Sequence, residues 1–453
     1  MTVSLLLVPF VVCAAAELAL RHAESGDAVD VVLSGSRDQR VTEYLHRQRV
    51  AQHVPGMELV IVQDGQIATR WAEGEARPGT PITPATPVQL ASVSKALTGV
   101  AAMQLVGSGA LDLDKPVVTY LPWFTTRDRD ASAEITIGDL VHHTSGLDDD
   151  AIDTSHLLDD HSPAALERGV RAMASSDLAF SPGHGFLYAD ANYDLLGLLV
   201  QERSGQAFAD YMREHVFGPM GMSSAYADPA SAMAGGAAEG YYRWFGLAYR
   251  ATAAPHPIAH LPSANTYASA DDLARELLMN LAQGTIEGTK VLTPQLVAQV
   301  QRSGADVDGS SGYAAGWFVR PMWESADPAS YNARSVELPL VYEHSGSDST
   351  TTTFLGFVPS MHLGVVVLMN SHDPYASSRL YALQSDVWKL LLGHPPTPLG
   401  HANEDSSSTT VPSSASPSSR SFWRCSWQLD ERWPLAAVRH LRGAATCSWP
   451  PSL

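Results

Sequence analysis

The chain has 453 residues, 45% of them hydrophobic and 17% charged, a globular composition too long for one minimal core. A formal net charge of −19 excludes general affinity for nucleic acid or anionic membrane, since both need a basic surface. Only Lys95, Lys115, Lys290 and Lys389 are lysines among the 29 lysines and arginines. Arginine keeps its proton inside proteins whereas lysine can lose it, so each retained lysine hints at proton chemistry.

The opening, MTVSLLLVPFVVCAAAELAL, has an apolar run over 3–16 that ends in Ala14-Ala15-Ala16 before Glu17. It is short for a membrane span and suits the core of a signal peptide over 1–16, which predicts an exported protein (secreted, periplasmic or in the cell envelope). The basic start of such leaders is missing, and a buried N-terminal helix is the other reading. No later apolar stretch is long enough to span a membrane. The cysteines, Cys13, Cys425 and Cys447, leave 14–424 without a thiol, which excludes cysteine catalysis and a thiolate zinc site there.

Residues 58–74 read as two strands around Asp64-Gly65, a hairpin with a type I′ turn. After the link PGTPITPATP, an apolar stripe of Leu97, Val100, Ala101 and Leu105 predicts a helix over 94–107. Helical segments follow at 137–143, 193–204 and 208–216. An aromatic stretch runs from Tyr241 through Trp244 and Phe245 to Tyr249, and Asp271-Asp272 opens a further helix. Runs rich in β-branched and aromatic residues return at 313–319, 340–344, 350–358 and 363–369, and a helix over 377–392 closes them. Strands at both ends with helices between predict an α/β (α+β) fold. One antiparallel sheet, flanked by helices, is built from both chain ends (about 53–110 and 285–393). A mainly helical part (about 111–284) is inserted, with a cleft between the two. Residues 396–453 read as a disordered Ser/Pro-rich linker and tail.

The stretch LASVSKAL (90–97) holds two serines and a lysine within four residues. In a helix residues three apart share a face, so Ser92 can meet Lys95 whereas Ser94 cannot readily do so. Serine becomes a nucleophile when a nearby base removes its proton. Lysine is such a base when burial lowers its pKa from roughly 10.4 toward neutrality. The bland alternative is that Ser92 caps the helix beside a solvated Lys95. The tetrad alone favours that alternative, because serine-x-x-lysine is short and often matches by chance.

Four further segments change the balance: HTSGL (143–147), YADANY (188–193), GYAAGW (312–317) and HSG (344–346). With Ser92-x-x-Lys95 ahead of them in this order, the chain from about His53 to Leu392 resembles the penicillin-recognising serine enzymes. The resemblance is to the branch of class C β-lactamases, D-stereospecific peptidases and related esterases. It implies a β-lactamase/transpeptidase-like catalytic domain over about 30–395. It implies that Ser92 attacks a carbonyl to form an acyl-enzyme and that Lys95 and Tyr188 share the general-base and general-acid work. The backbone N–H groups of Ser92 and Ser347 would form the oxyanion hole.

His344 and Gly346 stand where β-lactamases carry lysine-threonine-glycine, and a histidine there is only partly cationic near neutral pH. Asp190 stands where the family has an asparagine whose amide both donates and accepts; a carboxylate cannot donate unless protonated. Asn192 matches a different asparagine of the longer pattern. An esterase, or a D-amino-acid peptidase for a substrate with a cationic group near the scissile bond, is therefore expected rather than a true β-lactamase. HTSGL reads as a structural turn closing a helix. The expected partner is a small peptide, amide or ester substrate, with no cofactor, no metal and no nucleic acid, acting on a monomer. The alternative is a catalytically weak ligand-binding or sensor domain on the same fold, which Asp190 keeps open. Other classes lack their motifs: there is no Gly-x-Ser-x-Gly elbow, no HExxH around His142 and His143 or His256 and His260, and no Gly-Lys-Ser/Thr loop.

Overall fold

Asp64 and Gly65 both have positive φ (52° and 80°), as a type I′ turn requires. They join strand β1 (Gly56–Gln63) to β2 (Gln66–Arg77), the expected hairpin. The structure, a computed structural model, describes residues 35–148, 160, 162, 164–244, 248–251, 258–322, 339–372 and 377–397. The leader read over 1–16 and all but the first two residues of the 396–453 tail lie outside the described residues. All described residues fall in one structural unit.

After the two-residue strand β3 (Thr80–Pro81) the chain leaves this sheet and returns at residue 305. Six strands follow: β4 (Ala305–Asp306), β5 (Gly312–Tyr313), β6 (Phe318–Pro321), β7 (Leu340–Ser347), β8 (Thr352–Val358) and β9 (Leu363–Met369). The sheet order is β4-β5-β6-β7-β8-β9-β1-β2-β3, and every neighbouring pair is antiparallel. The two chain ends meet where β1 pairs with β9, Met57 opposite Met369 and Gln63 opposite Leu363. One antiparallel sheet is thus built from both ends, as expected.

Five longer helices among the described residues position the rest: α1 (Arg37–Ala51), α2 (Ser94–Gly107), α3 (Asp190–Ser204), α4 (Ala270–Leu281) and α5 (Ser377–Leu391). Side chains alternate across a strand, and here both faces are covered. Met57, Leu59 and Ile61 of β1 share a core with Val41 and Leu45 of α1 and Trp388 of α5. Val60 and Val62 face the other way, into a core with Leu97 of α2 and Leu277 of α4. Covering both faces is why β9 reads LGVVVLM without polar alternation and is buried along its whole length. Helix α2 packs against α3, and the turn before α2 packs against β7. The catalytic candidates lie at this junction.

Near the site, three element bounds differ from the sequence reading. The helix expected from 193 starts at Asp190, where a carboxylate complements the helix N-terminus. The strand expected over 313–319 is broken by a turn at 314–317, where Gly316 (φ 84°) lies against α2; a Cβ there would sit 2.6 Å from the Lys95 carbonyl oxygen. The strand expected to end at His344 runs on to Ser347, carrying Gly346 with it. Among the described residues no helix is long and apolar enough to cross a membrane.

Helices α1 and α5 are tied by the Tyr44 hydroxyl, which donates to Asp386 Oδ2 at 2.8 Å in a buried setting. Tyr44→Phe removes a hydrogen bond to a charged acceptor and should cost about 1.5–3 kcal/mol in denaturant unfolding. Ser92 is not part of this contact, and its covalent labelling should be unchanged in the variant.

Candidate active site

Ser92 lies in a single 3₁₀ turn, Ala91–Val93, that runs directly into α2. It does not cap that helix: the N-cap position is Val93, and no side chain accepts from the first turn. Ala91 holds φ at 48°, in the left-handed region that a residue with a Cβ rarely adopts. Ser94 is turned away, its Oγ accepting from the Thr266 N–H at 3.2 Å. Lys95, one helical turn after Ser92, is fully buried. Its Nζ donates to Ser92 Oγ (3.2 Å), Asp190 Oδ1 (2.5 Å) and the Ser263 carbonyl (3.0 Å). An ammonium has three protons to give, and here each has an acceptor.

That arrangement decides the charge on Lys95. Burial works to lower its pKa, but the Asp190 carboxylate and the Tyr188 oxygen outweigh it and hold the group above the ordinary lysine range. Burial alone would favour a neutral lysine; the Asp190 carboxylate at 2.5 Å favours the ammonium instead. Asp190 stands at the start of α3 with its side chain 35% exposed. Burial opposes its ionisation, while the Lys95 ammonium and its hydrogen bond pull the carboxyl below the usual range. The pair therefore stabilises the fold above the unfolded carboxyl pKa of about 3.9, and that contribution is lost as pH falls through the lower folded value.

Tyr188 ends the loop before α3, with Lys95 Nζ 4.7 Å from the centre of its ring. Its phenolic oxygen is within reach of Lys95 and Ser92. Burial raises the phenol, Lys95 lowers it and Asp190 raises it again, for a result pushed up to about 12. His344, on β7, lies beyond Tyr188, with Nε2 3.5 Å from the Tyr188 hydroxyl and 3.3 Å from that of Tyr313. Its Nδ1 is 2.7 Å from the Ser345 carbonyl, so Nδ1 carries the proton and Nε2 accepts. Burial and the nearby Lys95 charge lower His344 to about 3. It is neutral at physiological pH and is not a cation for a substrate carboxylate.

Gly346 sits where β7 crosses the Ser92 turn. A Cβ at this position would fall 2.3 Å from both the Leu90 carbonyl oxygen and Thr353 Oγ1. Glycine is thus what lets the strand approach the turn that carries Ser92. Ser347 follows at the exposed end of β7, opposite Thr352, with its Oγ 3.1 Å from His372 Nδ1. Ser92, Lys95, Tyr188 and Asp190 are brought into one cluster, His344 joins it through Tyr188, and Gly346 through the Leu90-Ala91 backbone.

A family model described as Beta-lactamase matches residues 38–385. The chain belongs to the Beta-lactamase family. Membership implies a serine hydrolase working through an acyl-enzyme. Penicillin-binding protein 4 of Amycolatopsis lactamdurans is 29% identical over 359 residues, 76% of this chain and 87% of that protein. Protein flp of Staphylococcus aureus (strain MW2) is 25% identical over 360 residues, 78% of this chain and 67% of that protein. The octameric penicillin-binding protein homologue from Pyrococcus abyssi shares the fold, with a TM-score of 0.62 at 22% identity over 80% of this chain and 79% of that one.

Two features of this Beta-lactamase-family site exceed the sequence reading. HTSGL, read as a structural turn, clamps the catalytic loop: His143 Nδ1 accepts from the Ala189 N–H (3.1 Å) and lies 3.0 Å from Asn192 Nδ2. Ser145 Oγ donates to Asn192 Oδ1 at 2.6 Å, and the His143 ring stacks on Tyr188 at 4.6 Å. The pairing of the two motifs was the available signal. The second feature is the Ser263 carbonyl on Lys95, a backbone group for which no side-chain pattern exists. Of the aromatic stretch, Tyr241–Trp244 and Ala248–Ala251 form a hairpin beside Ser371–His372; Phe245 lies outside the described residues. Gly346→Ala should destabilise the fold by about 1–3 kcal/mol through overpacking, read by thermal unfolding. Labelling of Ser92 should fall as the turn is pushed aside.

Proposed function

We propose that the protein is a serine hydrolase that forms an acyl-enzyme on Ser92 with ester, amide or peptide substrates, of the esterase or D-amino-acid peptidase type rather than a β-lactamase. The contact that carries the reading is Lys95 Nζ on Ser92 Oγ at 3.2 Å within the Lys95–Asp190 pair. Because Ser92 Oγ accepts from the ammonium, its own proton is directed to the Tyr188 oxygen beside it. Lys95 lowers the cost of ionising Tyr188; the phenolate takes the proton of Ser92 as Oγ bonds to the carbonyl carbon. Tyr188 then returns that proton to the leaving oxygen or nitrogen, and water reverses the sequence to free the acid. The N–H groups of Ser92 and Ser347 are the candidate donors to the oxyanion.

Charge supports the choice of substrate. Neutral His344 gives no fixed cation for the carboxylate that β-lactams and peptide C-termini carry. The Asp190 carboxylate is already matched by Lys95, so a cationic group on the substrate would have to compete with a buried ammonium. Uncharged esters and amides fit this cluster best.

A fluorophosphonate probe should label Ser92, located by peptide mass spectrometry, and p-nitrophenyl esters should turn over. Lys95→Ala should lower both rates by about 10²–10⁴-fold. Folded protein that takes no adduct from the probe or from a penicillin would overturn the hydrolase reading in favour of a binding domain. Asp190→Asn restores an amide that can donate, and penicillin acylation should rise; an unchanged rate would show that position 190 does not set the preference.

A further inference from the structure

Gln89 lies three residues before Ser92, in the short strand Val88–Gln89 that pairs with Tyr267–Ala268. Its side chain is buried. Nε2 donates to Asp348 Oδ2 (2.6 Å) and to Asn265 Oδ1 (3.0 Å), and Oε1 accepts from the Thr351 hydroxyl (3.0 Å). A side-chain amide has two protons to give and one oxygen to accept with, and all are engaged here. This one group ties three stretches together. They are the approach to Ser92, the loop 263–266 whose Ser263 carbonyl accepts from Lys95, and the turn Asp348–Thr351 that follows Ser347.

That turn decides where the Ser347 N–H points. In an antiparallel ladder the N–H groups of successive residues face alternately to the two neighbouring strands. The Asp348 N–H donates to the Thr351 carbonyl at 3.1 Å, on the β8 side. Ser347, one residue earlier, therefore turns its N–H away from β8, to the side of β6. There β6 begins with Phe318 opposite Glu343, so no residue of β6 lies opposite Ser347. The approach to Ser92 is held as firmly. The Leu90 N–H donates to the Thr266 carbonyl (2.9 Å), and the Leu90 carbonyl accepts from Thr353 Oγ1 (2.6 Å). Thr353 thus holds this stretch to β8, and Gln89 holds it to the turn beyond Ser347.

We propose that Gln89 sets the separation of the Ser92 and Ser347 N–H groups, the two donors that receive the substrate's carbonyl oxygen as charge develops on it. Gln89 is a positioning residue: it acts by fastening the Asp348–Thr351 turn to the stretch that leads into Ser92. Such donors work only when they stand about 2.7–3.1 Å from the place the oxyanion takes up, and a displacement of about 1 Å can cost about 10²-fold in rate. The catalytic role rests on the hydrolase reading; the fastening does not.

The test uses the full chain. Gln89→Glu keeps the shape of the side chain but puts an oxygen where Nε2 faced the Asp348 carboxylate. It should lower kcat for a p-nitrophenyl ester by about 10–10²-fold with KM little changed, since the lost alignment matters in the transition state. Adding Asp348→Asn supplies a donor again, with the hydrogen bond reversed, and should recover most of the rate. Asp348→Asn alone keeps an acceptor for Gln89 and should lose less than Gln89→Glu. A kcat equal to the parent's, a loss confined to KM, or a loss that the second substitution does not repair overturns the inference. If Gln89→Glu does not fold, Thr351→Val removes the donor to Oε1 and should lower kcat about three- to tenfold, the equivalent of one hydrogen bond; an unchanged kcat then overturns it. Hydrogen exchange reads the fastening without activity: the residue 348 amide should exchange faster in Gln89→Glu and slow again in the double variant. If the parent neither labels at Ser92 nor turns over esters, the hydrolase reading fails, and the fastening stands or falls on exchange. If the parent turns over the ester and Gln89→Glu matches it, the inference fails and the hydrolase reading stands.

Discussion

A lysine with no exposed surface needs an anion and a full set of acceptors, or it cannot stay charged. Lys95 has both, and most of the site follows from supplying them. Asp190 comes from the first residue of α3, Ser263 from the turn after His260, and Ser92 from the turn before α2. Three separate stretches must therefore converge on one nitrogen. The sheet is what allows it: joining β1 to β9 closes the chain on itself, so that α2 and β7 can flank the same turn although some 250 residues separate Ser92 from Gly346.

A carboxylate at position 190 sets what the cluster can do. A lone buried lysine would drift toward neutrality and serve as a base. Paired with a carboxylate it is held as an ammonium, and in the proposed mechanism the proton-accepting role falls to Tyr188, whose acidity depends on burial and on the balance of Lys95 against Asp190. His344 points the same way, since burial keeps it neutral where a lysine would have been a carboxylate anchor. The charges that surround Ser92 are thus largely matched within the cluster, Lys95 by Asp190, with His344 uncharged.

Much of this was readable in the residues themselves. The Asp64-Gly65 turn, the apolar strands at both ends and the five ordered motifs point to the fold and to Ser92, Lys95 and Tyr188. Helical spacing alone selects Ser92 over Ser94. What could not be read is the direction of the shift on Lys95, because it depends on Asp190 lying 2.5 Å away from a residue 95 positions earlier. The Ser263 carbonyl carries no side-chain signature. In the sequence His260 stands out only as one of a histidine pair with His256, because its partner Asp194 is 66 positions distant and becomes a neighbour only when α3 packs against the turn. HTSGL reads as a turn and is one, but its histidine also anchors the backbone between Tyr188 and Asp190.

The whole cluster depends on Asp190 holding Lys95 as an ammonium beside Ser92. With four lysines in the chain, the ε-carbon and ζ-nitrogen resonances of labelled lysine can be resolved and assigned by substitution. Followed with pH in the native protein, Lys95 should show an ammonium with no titration up to the ordinary lysine value of about 10.4, and a lowered midpoint in Asp190→Asn. A Lys95 that loses its proton near neutral pH in the unsubstituted chain would contradict the account.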